Sequence, residues 1–156
     1  MKKKININGG DKMISFATVM IIAGIGIPIM AAMTSSLGKH LSSPVAASEF
    51  AFFIALCISL LALMITDKSF VKQIPSAPKY LFVAGAFVAF YVLSISFVAP
   101  HFGIGNAIFF VLLGQLLSAA IIDHYGLFGA RINHLSMTRI SGIFVMVFGV
   151  WLTQNA

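Results

Sequence analysis

Acidic side chains are nearly missing from this chain. Asp and Glu together number four in 156 residues, and charged residues of both signs make up only 9%. A soluble domain carries roughly 25% charged residues because its surface must be solvated. This composition therefore excludes an ordinary water-soluble globule. Cysteine occurs once, as Cys57 inside an apolar run, which leaves no internal disulfide and no metal-ligand spacing. It reads as a packing residue. Catalytic motifs are missing as well. No glycine loop with its lysine, no paired carboxylates in one segment and no metal-ligand cluster can be found. His40, His101, His124 and His134 lie dispersed near expected helix ends, and the DHYG run at Asp123 has no nucleophile beside it. Neither an enzyme nor a bound cofactor or metal is expected. Internal repeats, low-complexity tracts and a separate soluble domain are also lacking.

What is present is apolar. Hydrophobic residues make up 60% of the chain, and the mean hydropathy is +1.02. A bilayer core takes about 20 apolar residues per helix. Five stretches meet or approach that length, at 13–33, 45–66, 80–99, 104–122 and 137–153, behind a basic tail at 1–12 that holds Lys2, Lys3, Lys4 and Lys12. Ser43 as N-cap and Pro44 at the first helical position open the second stretch, and Pro100 suits the end of the third. The uninterrupted apolar part of the fifth, 140–152, is short, so an interfacial or re-entrant segment competes with a full span. Arg139 can snorkel from one end of it, and Trp151 suits the interface at the other. The first stretch is too long for a signal peptide and reads as a retained helix. The expected fold class is all-α, an integral membrane bundle of five transmembrane helices.

The net charge of +6 does not indicate nucleic acid, because the ten Lys and Arg lie in short breaks between apolar runs. From the N-terminus these breaks hold 4, 1, 3, 0, 2 and 0 of them. Alternate breaks share a side of the membrane, so nine basic residues fall on one side and Lys39 stands alone on the other. Positive loops stay in the cytoplasm. The expected topology is N-terminus inside and C-terminus outside, which excludes a dual-topology chain.

Ionisable and strongly polar groups within a span need a reason. Glu49 lies about a turn and a half into the second span. It is either a cavity-facing proton or cation site or an interfacial carboxylate helped by the positive end of its helix. Gln115 falls near the middle of the fourth span, where an unpaired amide costs several kcal/mol, and Ser118 shares its face. Inter-helix hydrogen bonding and substrate binding explain this pair equally well. Asn106 reads as a structural hydrogen-bonder. Asp123 and His124 end the fourth span. A carboxylate at a helix C-terminus is disfavoured by the dipole and calls for a partner such as Arg131 or Arg139, in a structural or a gating role. Gly24, Gly26 and Pro28 mark a bend or a close helix approach in the first span, and Gly85 with Ala89 forms a weak small-residue pair in the third.

Several stretches resemble a known family. GQLLSAAIIDHYGLFG (114–129), LSMTRISG (135–142) and the terminal FGVWL are similar to the YdcZ-type small bacterial inner-membrane proteins of the drug/metabolite transporter superfamily. AGAFVAFYV (84–92) and APHFGIGNA (99–107) look like that family's third span and the approach to its fourth. The N-terminal half departs from the pattern: of the P-x-Q-x-x-x-N run in the family's first helix, Pro28 is kept, but Met30 and Thr34 replace the amides. The membrane-embedded glutamate of small multidrug-resistance proteins is lacking too. The resemblance implies a five-helix half-transporter in the cytoplasmic membrane, exporting a small molecule by alternating access around a midplane site between inverted repeats. Its partners are then the lipid bilayer, a small-molecule substrate and a second chain. The one-sided charge favours an oppositely oriented homologous chain over an antiparallel homodimer. A non-transporting scaffold or accessory subunit is the alternative, and a passive pore, without rings of charge, is a weaker one.

Overall fold

The structure is a computed structural model that describes residues 9–66 and 68–154. Lys2, Lys3 and Lys4 of the basic tail lie outside the described residues. Most of those residues are helical, with no strand among them. Four helices are long and apolar enough to cross a membrane: α1 (Gly9–His40), α2 (Pro44–Met64), α3 (Ala84–Phe102) and α4 (Ile104–Tyr125). A shorter apolar helix, α5 (Met137–Gln154), follows. The chain divides into two compact units, one up to Phe97 and one from Val98.

In the first unit, α1 runs through Pro28 as one helix and carries Lys39 and His40 in its last turn, where cations suit the dipole. It ends with Leu41 N–H donating to Leu37 O at 2.9 Å and Ser43 N–H to Gly38 O at 2.9 Å. Ser42 takes the left-handed backbone between them, with a φ of 53°. Ser43 then caps α2, its Oγ accepting from Ala46 N–H at 3.2 Å, with Pro44 next. The two helices approach closely because the facing residues are small. Ala31, Thr34 and Ser35 of α1 and Ala47 and Ser48 of α2 are all buried, and Gly38 sits against Pro44. In lipid such contacts gain from dispersion and hydrogen bonding, since burying a methyl group in protein or in acyl chains differs little.

α3 joins α2 through one buried hydrogen bond, Ser48 Oγ to Ser96 Oγ at 3.0 Å. The Ser96 hydroxyl also donates to Val92 O at 2.7 Å. Both serines are fully buried. Ser96→Ala removes the cross-helix bond and leaves Ser48 its contact with Pro44 O at 3.0 Å, so it should cost only about 0.6 kcal/mol, the usual worth of such bonds in membranes. Equilibrium unfolding in mixed detergent measures this, and a loss of several kcal/mol would show that the pair does more than fasten two helices.

Pro100 does not end α3, contrary to the sequence expectation. The helix continues to Phe102 and stops at Gly103, whose φ of 86° is open to glycine and strained for other residues. A proline in the last turn costs only one bond, whereas the left-handed backbone at Gly103 stops the helix, with its N–H donating to Ala99 O at 3.0 Å. In the second unit, α4 ends at Gly126 in the left-handed conformation, a common C-terminal cap. A tight turn (Leu127–Gly129) and an extended stretch lead to α5, where Ser136 Oγ accepts from Arg139 N–H at 3.2 Å.

Large apolar side chains point outward on every helix, Phe16, Ile54, Phe87, Ile121 and Phe144 among them, while the buried apolar residues are mostly alanines. This inverts the pattern of a water-soluble fold.

Candidate functional site

In the first unit α1 and α2 bound a groove of about 610 Å³. Its walls include Ile29, Met30, Met33 and Thr34 from α1 and Phe50 and Ile54 from α2. Thr34 is the one polar side chain in a lining that carries no charge. Volumes of 300–1,000 Å³ are typical of small-ligand sites, which are mostly apolar with few polar groups. Met30 and Thr34, the positions at which the sequence departs from the amide pattern of the resembled family, both face this groove. An apolar thioether and a hydroxyl there leave a surface that holds apolar groups and offers little to ions.

Gly26 lines the groove. A Cβ added at Gly24 or Gly26 would meet nothing within 4 Å, so neither serves a close helix approach within the described residues. Glu49 is exposed on α2, beside the groove-lining Phe50 but outside the lining. Cys57 is likewise exposed, and so is not a packing residue within the unit.

Of the buried polar side chains, sequence reasoning missed Ser35, Ser48 and Ser96 and noted Thr34 only as the replacement of an amide. It also missed Tyr91, whose hydroxyl is buried with no hydrogen-bond partner among the described residues. A serine inside an apolar run is inconspicuous because its hydroxyl can bond its own helix. Both serines of the pair do this, and the bond across to the second helix leaves no mark in the sequence.

In the second unit Gln115 and Ser118 lie exposed on α4, near its middle. They belong to the second unit and Glu49 to the first. A groove of about 310 Å³ between α4 and α5 is lined by Leu117, Ile121, Ile140 and Phe144, among other apolar residues, and neither Gln115 nor Ser118 enters it.

The end of α4 is the most connected polar region. Arg139 of α5 donates through Nη2 to Asp123 Oδ2 at 2.8 Å, with both side chains about one-third exposed. Arg139 rather than Arg131 is thus the partner of the carboxylate. The backbone joins in, with Asn133 N–H donating to Asp123 O at 2.9 Å and Leu135 N–H to His124 Nδ1 at 3.2 Å. His134 stacks edge-on to His124 with ring centroids 5.5 Å apart.

Four long apolar helices with small-residue packing define a multi-pass membrane protein. Residues 15–152 match the family described as "Putative inner membrane exporter, YdcZ". The chain belongs to this family and resides in the inner membrane. No curated protein and no solved structure matches it significantly.

Proposed function

We propose that the chain is half of a small-molecule exporter and works by alternating access with a second, oppositely oriented chain of the same family. The membership over residues 15–152 carries this reading. The α1–α2 groove supplies the surface on which the apolar part of a substrate rests, and Gln115, Ser118 and Glu49 remain candidate polar groups for the substrate, each on its own unit. In this reading α5 completes a five-span unit, with its N-terminus inside and its C-terminus outside. The lone Lys39 against nine basic residues on the other side supports that orientation. Pro28 shapes α1 beside the groove. Proton coupling, if used, runs through Glu49 or Asp123, and transport that survives substitution of both excludes it.

Reporters active only inside or only outside, fused to each terminus, test the arrangement. An inside N-terminus and an outside C-terminus in essentially all molecules is the expected outcome. Mixed orientation restores an antiparallel homodimer, and a C-terminus wholly inside removes the fifth span. The Ser48–Ser96 bond favours one rival reading, an accessory subunit whose polar residues only fasten helices. Saturable, substrate-dependent counterflow in vesicles separates the exporter from it.

A further inference from the structure

We propose that His124 and the 126–136 connection form a proton-sensitive latch at the α4–α5 corner, closed while the imidazole is neutral and released when it takes up a proton. Leu135 N–H donates to His124 Nδ1 at 3.2 Å. A ring nitrogen that accepts a hydrogen bond carries no proton, so the neutral ring holds its hydrogen on Nε2. An imidazolium has N–H at both positions. Protonation therefore turns the acceptor into a donor facing another donor, and the bond is lost.

The groups around the ring give the released state no compensation. On its own helix His124 has Asp123 and Tyr125, the Tyr125 ring standing edge-on with centroids 4.8 Å apart. From α5, Arg139 already occupies Asp123 Oδ2 at 2.8 Å, so an imidazolium must compete with a guanidinium for that carboxylate. The connection also carries Arg131, a fixed cation, and His134, whose ring lies 5.5 Å from that of His124. Protonation of His124 thus removes one hydrogen bond at this corner. The backbone freed first is Leu135, two residues before α5 begins at Met137. The latch is present while the His124 ring is neutral and lost when the ring is protonated. It does not depend on transport or on membrane orientation.

Amide hydrogen exchange tests it on the full chain in lipid nanodiscs, read by mass spectrometry as protection factors over 130–137 and corrected for the intrinsic pH dependence. Between about pH 7.5 and 5.5, wild-type protection there should fall by about tenfold, equal to ~1.4 kcal/mol and the scale of one hydrogen bond. His124→Asn sets an amide oxygen, an acceptor that does not titrate, close to the Nδ1 position, and should show the same protection at both pH values. His134→Asn should keep the wild-type fall. Unchanged wild-type protection overturns the latch, as does a His124→Asn variant that keeps the fall or a His134→Asn variant that abolishes it. Nitrogen NMR of the wild-type imidazole supplies a readout that needs no substitution. Protonation of His124 Nδ1 should track the loss of protection, and a ring that titrates while protection holds also overturns it.

Discussion

Substituting leucine for Gly38 will force α1 and α2 apart and destabilise the first unit by about 2–3 kcal/mol, within the range for overpacked helix contacts. A Cβ at this position would lie 3.2 Å from Pro44 Cα and 3.6 Å from Pro44 N, with Ala47 Cβ at 3.7 Å. The first two are backbone atoms of a proline held by its ring and by the Ser43 cap, so they cannot rotate aside. The added branch starts against Pro44 and Ala47, and Ala47 is already fully buried. Gly38→Ala needs a shift of a few tenths of an ångström and should cost far less. Amide exchange over 31–48 in nanodiscs measures the difference. Equal protection in Gly38→Leu and the parent would mean that the helices do not meet at this distance in the membrane.

Gly126→Val will damage the other unit comparably. Gly126 has a φ of 63°, and a Cβ there would stand 2.7 Å from Ile132 Cγ1 and 3.4 Å from Ala130 O. Left-handed backbone costs an L-residue about 1–2 kcal/mol, and more for a β-branched one. Moving Ile132 raises the expected total to about 2–4 kcal/mol, a large share of the stability of a small unit. Gly126→Asn tolerates the backbone better and should fall between the two. Trp151, the single tryptophan, lies on α5 and stacks on Phe148 with centroids 5.7 Å apart, so its emission reports unfolding of this unit. An unshifted midpoint in Gly126→Val would show that α4 does not end here.

The helices were legible because each is announced by strong local physics. Apolar runs of span length can persist only in lipid, and Ser43 with Pro44 meets the requirement of a helix start. The dipole at the end of α4 calls for a cation near Asp123, and Arg139 supplies it. Other features were beyond reach for equally physical reasons. Pro100 was read as a stop because proline disrupts helix interiors, yet in a last turn its penalty is small and Gly103 decides. Gln115 drew attention as an amide among apolar residues, whereas the buried polar contacts belong to serines, whose small hydroxyls leave hydropathy almost unchanged. Thr34 was noted only for what it replaces. Its place in the groove depends on how α1 crosses α2, which no single run of residues encodes.

α1 has 32 residues and at 1.5 Å per residue extends about 48 Å, against a hydrocarbon thickness of about 30 Å. A rod longer than its solvent slab leans or protrudes, at a cost of fractions of a kcal/mol per Å of mismatch. The same helix forms one wall of the groove with α2, whose 21 residues extend only about 32 Å and match the slab. Bilayer thickness therefore acts unequally on the two walls. In a thin membrane α1 leans further than α2, in a thick one the two come closer to parallel, and the width between them follows the lipid.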